Sequence, residues 1–313
     1  MYFPVANIEV NPLIPPLVAF CISFFTSMGG VSGAFLLLPF QVSVLGFTTP
    51  AVSSTNQLFN IVAIPSGVYR YLKEGRMVWP LTWVVIIGTL PGVMAGAILR
   101  IKYLPDPRNF KMFAALVLLY IGLRLVNDLV GRKKAGQAGE GSDERFQRLV
   151  REYQAEHGAN RLPGVTVLEC SVARIRYEFL GENCQASSMG ILTLSLVVGV
   201  IGGVYGIGGG AIIAPFFVSI FGLPVHTVAG AALMGTFVTS VAGVLFYQLI
   251  APWFPGVAVA PDWLLGLLFG VGGFGGMYCG ARLQRFVPAR AIKWMLAGFV
   301  LFTAGKYLFE FLV

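Results

Sequence analysis

Charge is what this sequence has least of. Only 12% of its 313 residues are Asp, Glu, Lys or Arg, against 56% hydrophobic residues, and mean hydropathy is +0.77. A water-soluble domain of this composition could not cover its core with polar surface, so the chain reads as a membrane protein. Residues 10–69 and 183–261 hold no charged residue at all. One crossing helix takes about 20 residues, so each stretch must cross or enter the bilayer more than once. Four further apolar runs, 77–99, 110–130, 263–281 and 294–313, could each span.

Histidine and cysteine are scarce as well. Two histidines, His157 and His226, leave nothing from which to build a His-based metal site, and the four cysteines show no ligand spacing. No metal and no cofactor is expected. Cys170 and Cys184 lie in a polar middle region; free thiols are expected there if it is cytosolic, with a disulfide as the alternative. The membrane segments contain no acid–base pair, Cys–His pair or ligand cluster, which counts against a membrane enzyme. They also carry no carboxylate at midspan: Glu74, Asp106 and Asp262 sit at segment ends and Asp128 near one. A cation carrier or proton relay would normally place one there. The formal charge of +8 comes largely from residues at helix ends, among them Arg70, Lys73, Arg76, Arg100, Lys102, Arg282, Arg285, Arg290 and Lys293. Those are anchors and topology signals rather than a nucleic-acid surface. The first segment has no basic n-region or small-residue cleavage site before it, so it is expected to be retained.

Glycine is abundant, with 39 residues, and it crowds into IGGVYGIGGGAIIAPFF at 201–217. Gly206, Gly208 and Ala211 fit G-x-G-x-x-A, but a dinucleotide site needs a soluble strand and an acidic residue about 20 positions on, and residues 222–235 contain none. The stretch and its flanks make an apolar run of roughly 35 residues, too long for one straight crossing and short for two. A helix interrupted near the midplane, or a hairpin re-entering from one side, fits better. Lipid cannot satisfy freed backbone groups, so such a break must be buried in protein or line a cavity. A half-helix starting near Ala211 would aim N–H groups and its positive dipole end at that cavity, an environment for an anion. The alternative is close helix packing through small residues.

The chain repeats itself. At an offset of 176, residues 30–71 match 206–247 without a gap at 12 of 42 positions. The matches include Gly30 with Gly206, Gly33 with Gly209, Pro39-Phe40 with Pro215-Phe216, Gly67 with Gly243, and Tyr71 with Tyr247. At an offset of 184, Trp79 meets Trp263 and Gly96 meets Gly280. Two homologous halves, 1–130 and 188–313, flank a soluble insert, 131–187, with 9 basic and 8 acidic residues. FQRLVREYQAEHG in the insert suggests an amphipathic helix, and VTVLECSVARIRYEF one or two strands. Internal repeats of this kind mark secondary transporters. The second helix of each half carries a polar face: Ser53, Asn56, Gln57, Asn60 and Gly67 in the first, Thr236, Thr239, Ser240 and Gly243 in the second. Amides and hydroxyls without carboxylates suit a small anion, though each of them could equally bond to a neighbouring helix.

GGVSGAFLLLPFQVSVLG and IGGVYGIGGGAIIAPFFVSIFG, followed by STN at 54–56 or AGAALMGT at 229–236 and then by Gly67 or Gly243, resemble the TauE/SafE sulfite exporter family, of the 4-toluene sulfonate/sulfite uptake-type permease superfamily. The resemblance covers both halves and implies export of sulfite or an organosulfonate. The first half departs from the pattern at Ser32, which stands for a glycine, and the second at Ala231 and Ala232.

The fold class expected is therefore an all-α polytopic membrane protein in two halves, each with a Gly-rich broken or re-entrant helix plus three spanning helices. Re-entrant breaks would invert the halves and put thirteen Lys or Arg on the insert's side against five on the other, which the positive-inside bias favours. The function expected is a transporter moving a small anion across a bacterial or archaeal plasma membrane by alternating access, with a passive anion channel as the alternative. Its partners would be the anion and the lipid bilayer, with no nucleic acid; a homodimer is left open. The candidate substrate-binding residues are Ser32, Gly33, Ser53, Thr55, Asn56, Gln57, Asn60, Tyr205, Gly206, Gly208, Gly209, Gly210, Thr236, Thr239 and Ser240.

Overall fold

A computed structural model describes residues 1–28, 32–73, 75, 77–135, 153, 165–171, 173–179, 181–210, 212–283 and 289–312. A small hairpin, β1 (Tyr2–Phe3) and β2 (Ile8–Glu9), precedes α1 (Ile14–Met28) and the ten-residue α2 (Ala34–Ser43). Next come α3 (Ala51–Ala63) and α4 (Pro65–Lys73), which form one rod bent at Ile64. Pro65 has no N–H to continue the ladder there. Two long helices, α5 (Trp79–Lys102) and α6 (Pro107–Ala135), close the first half. The second half runs α7 (Ser188–Tyr205), the nine-residue α8 (Ile213–Phe221), α9 (Val225–Ile250), α10 (Trp263–Leu283) and α11 (Ala289–Leu312). Among the described residues, six helices are long and apolar enough to cross a membrane, and the bent α3–α4 rod is not one of them. All five tryptophans, at 79, 83, 253, 263 and 294, are 45–76% exposed and lie near helix ends, as in an interfacial aromatic belt.

Glycines set the helix packing. α5 runs along α7 with Gly88, Gly92 and Gly96 in step with Leu192, Leu196 and Val200. α10 runs along α1 with Gly272, Gly276 and Gly280 in step with Pro16, Phe20 and Phe24. The second set of glycines is the first moved by 184 residues, and the second set of partners matches the first moved by 176, the two offsets of the sequence repeat. A Cβ on Gly92 would come within 2.9 Å of Gly199 C, and one on Gly276 within 3.0 Å of Phe20 C. The backbones touch because side chains are absent, which is the small-residue mode of packing in lipid. Further pairs, among them α6 with α11, α3 with α10, α5 with α9 and α3 with α9, join the halves.

Contacts gather at two ends. At one, Ala51 N donates to Ala258 O (2.9 Å), Arg108 donates to Phe311 O (2.7 Å), and Ala6 N donates to Asp262 Oδ2 (3.3 Å). The buried Asp262 caps α10, its Oδ1 accepting from Leu265 N at 3.0 Å. At the other end, an antiparallel sheet of β3 (Thr166–Cys170), β4 (Arg174–Phe179) and β5 (Glu182–Ser187) leads directly into α7. The strand alternation in the insert is therefore present, with β5 added, while the amphipathic helix expected at 146–158 lies outside the described residues except for a helical Tyr153. Tyr177 and Thr227 hydroxyls lie 2.8 Å apart, and Val165 N donates to Gly75 O at 3.3 Å, so the sheet touches both halves. Cys170 pairs with Ile175, and Cys184 with Tyr177, on opposite sides of β4. Two strand spacings, about 10 Å, exceed disulfide reach, and Cys184 is a free thiol. Burial pushes the Tyr177 hydroxyl and the Cys184 thiol up from their ordinary pKa values.

Candidate functional site

The helix breaks are made by backbone conformation. Gly206 (φ 78°) ends α7 in the left-handed region, and the N–H groups of Gly206 and Ile207 both return to Gly202 O, at 2.9 and 3.0 Å. This is a left-handed helix ending in which Ile207 makes the 6→1 bond of the Schellman motif, and glycine adopts its conformation at no steric cost. Gly208 is left-handed too (φ 77°). α8 begins at Ile213, two residues later than expected from sequence, with Ile213 N on Gly210 O. In the first half α1 ends at Met28; Ser32 and Gly33 then lead into α2, and Gly33 O accepts from Leu36 N and Leu37 N.

A broken helix strands carbonyls that lipid cannot satisfy, and α3 carries the amides that reach them. Asn56 Nδ2 donates to Ala34 O and to Gly206 O, both at 3.0 Å, while its Oδ1 accepts from Gln41 Nε2 at 3.1 Å. Asn60 Nδ2 donates to Ile207 O at 2.9 Å and lies 3.4 Å from Ser240 Oγ; its Oδ1 accepts from Ser32 Oγ at 3.0 Å. Each asparagine thus joins the first break to the second. Ser53 Oγ donates to Val204 O (3.1 Å), and Tyr205 OH reaches across to Phe35 O (3.0 Å). From α9, Thr239 Oγ1 accepts from Gly209 N (3.1 Å) and donates to Gly235 O (2.6 Å). Thr236 Oγ1 turns back to Ala232 O (2.8 Å). Its methyl and Ser240 Oγ crowd the space beside Gly208, where a Cβ would come within 2.9 and 2.8 Å of them. Gly209 packs on Thr89 and Gly210 on Ala232. Ser53, Asn56, Asn60, Tyr205, Thr236, Thr239 and Ser240 are fully buried, and Ser32 is 2% exposed.

Two of the candidate side chains bond to neither break. Thr55 Oγ1 accepts from Asp262 N at 2.9 Å, tying the start of α3 to the cap of α10 rather than to either break. Gln57, fully buried, leaves both amide atoms without a partner and lies against Gly243 of α9. Sequence reasoning missed Gln41, the one amide in α2, and Tyr247, whose hydroxyl donates to Gly203 O at 3.3 Å. Gln41 stood out only as a lone amide in an apolar ten-residue helix.

The polar groups meeting here are amides, hydroxyls and backbone, and both short helices begin among them. Among the described residues no three His, Cys, Asp or Glu side chains come together. The arrangement brings amides, hydroxyls and two positive helix ends together with no fixed charge among them.

No solved structure matches the chain. The probable membrane transporter protein YunE of Bacillus subtilis (strain 168) is 23% identical over 286 residues, covering 89% of this chain and 90% of that protein. The family model for sulfite exporter TauE/SafE matches residues 16–307. With six apolar helices long enough to span and that match over nearly its whole length, the chain is a multi-pass cell-membrane protein and belongs to the TauE/SafE sulfite exporter family of membrane transporters.

Proposed function

We propose that this protein is a secondary transporter for a small oxyanion, sulfite or an organosulfonate, working by alternating access between two inverted halves. The observation that carries the reading is the shared polar centre: α2 and α8 both start, positive end first, at the neutral polar cluster that Asn56 and Asn60 bridge. Anions are favoured at helix N-termini, and no side chain in the cluster is a competing carboxylate.

Inversion is supported by where the helices start. α1 follows the β1–β2 hairpin, at the end where Ala6 meets Asp262, whereas α7 follows the β3–β5 sheet, at the end where Tyr177 meets Thr227. Each Gly-rich break then acts as a re-entrant hairpin, and three crossings follow it. On the positive-inside rule the insert faces the cytosol and both termini face outward. The fully buried cluster favours a carrier over a passive channel, because an open pore would leave its polar lining wet.

Gln57 is the cleanest probe, since among the described residues it has no hydrogen-bond partner that a substitution could remove. Sulfite flux into proteoliposomes should be saturable and gradient-dependent. Gln57→Met should cut it at least ~10-fold, about 1.4 kcal/mol, with the melting temperature held or raised. Normal flux in Gln57→Met would make this amide a packing residue. Non-saturable wild-type flux would sink the carrier reading.

A further inference from the structure

We infer that Arg100, with Thr49, forms a second oxyanion-binding site between the polar centre and the face that carries both termini. Arg100 lies in the last turn of α5 and is 0% exposed, the largest fully buried side chain among the described residues. Its guanidinium donates from Nη1 to Leu104 O and from Nη2 to Thr48 O (2.9 Å), and the Phe110 ring covers it at 3.8 Å. None of the ion pairs among the described residues includes it. Among those residues Nε has no partner, and neither has the buried hydroxyl of Thr49, the residue that follows the carbonyl Arg100 holds.

A buried guanidinium with no counter-charge is rare in a membrane protein and marks a functional position. The two carbonyl bonds and the α5 C-terminus account for two of its donors, but they supply no anion. A free N–H on the guanidinium, and a free hydroxyl on the residue next to the carbonyl it holds, are the donors that a sulfite, sulfate or similar oxyanion accepts from. Position adds to this: Thr49 ends the loop that leads through Pro50 into α3, whose Ser53, Asn56 and Asn60 build the central cluster. Thr49 therefore precedes Ser53, the nearest member of that cluster in the chain, by four residues, about one helix turn.

The inference rests on the transporter reading for its purpose but not for its measurement. Sulfite, sulfate, thiosulfate and phosphate are titrated calorimetrically at constant ionic strength against the purified full chain and its Thr49→Val, Arg100→Lys and Arg100→Gln variants. At least one of these anions should bind the wild type. Thr49→Val should weaken it at least ~10-fold with an unchanged anion-free melting temperature, and Arg100→Lys should weaken it while keeping the charge. Arg100→Gln is the variant most exposed to misfolding, so Thr49→Val decides. Wild-type affinity in Thr49→Val and Arg100→Lys, or no binding of any of the four anions to the wild type, would overturn the site and leave Arg100 as a brace for the 48–50 loop. Binding that Thr49→Val removes, in a wild type without saturable flux, would keep this site and sink the transporter reading instead.

Discussion

Asn56 and Gly206 sit 150 residues apart in the chain, yet the amide of one donates to the carbonyl of the other at 3.0 Å, and the same nitrogen donates to Ala34 O. One side chain thereby ties the first turn of α2 to the stranded carbonyl at the end of α7. The centre of the protein holds its shape through such bonds, so its polar residues cannot be altered as though they only faced a ligand.

Asn56→Leu should consequently destabilise the protein as well as abolish transport. A buried carbonyl left without a partner costs about 1–3 kcal/mol; Asn56 serves Gly206 O, and it holds Ala34 O and Gln41 besides. A clear fall in the melting temperature in detergent, with reduced yield, is the expected result. Near-normal expression and stability, the outcome that a purely cavity-facing amide would give, would mean that these bonds contribute little.

Three glycines separate backbone strain from crowding. Gly222 is left-handed (φ 64°) with open space around it, Gly208 is left-handed and crowded by Thr236 and Ser240, and Gly298 has open space in the middle of α11. Alanine at Gly222 should cost about 1–2 kcal/mol from the left-handed conformation alone. Alanine at Gly208 should cost more, and should weaken sulfite binding. At Gly298 alanine should be neutral or stabilising by up to about 1 kcal/mol. Equal losses at Gly208 and Gly222 in melting experiments would show that crowding at the break is readily relieved.

Gly92 and Gly276 occupy equivalent places in the two halves, each against the backbone of a partner arm. Valine at either should separate α5 from α7, or α10 from α1, with similar loss of folded protein by size-exclusion and melting. A large effect at one and none at the other would break the structural equivalence of the halves. Gly199 belongs with them, because a Cβ there would come within 2.6 Å of Thr89 O; Gly199→Ala should destabilise too.

Cys184 gives a pH test of the sheet. Burial raises its thiol pKa, with the neighbouring Glu182 acting in the same direction and the Tyr177 hydrogen bond against it. A group with a raised folded pKa stabilises below its unfolded pKa, and that contribution is lost as pH rises through the folded value. Maleimide labelling of Cys184 should therefore be slow at neutral pH and accelerate only above the ordinary thiol range, while the denatured chain labels readily. Rapid labelling at pH 7 in the folded protein would show the sheet to be detached from α9.

Much of the architecture was legible in the chain itself. The uncharged stretches announced a membrane protein because hydrocarbon excludes charge, and the duplicated glycine motifs announced two related halves with interrupted helices. Asn56, Asn60, Thr239 and Ser240 were found because their spacing puts them on one helical face. What those groups bond to was settled only by the fold. Whether an amide meets a ligand, a neighbouring helix or a stranded carbonyl depends on partners 150 residues away, and periodicity carries no information about them. Thr55 shares the STN motif with Asn56 but points to Asp262, because successive helix positions are turned about 100° apart. The glycines divide the same way. Composition marked them as breaks or as packing, and tertiary structure assigned both roles: Gly206 and Gly208 supply a left-handed turn, while Gly88, Gly92 and Gly96 on one helix, and Gly272, Gly276 and Gly280 on another, let backbones touch across halves that the sequence alone could not pair.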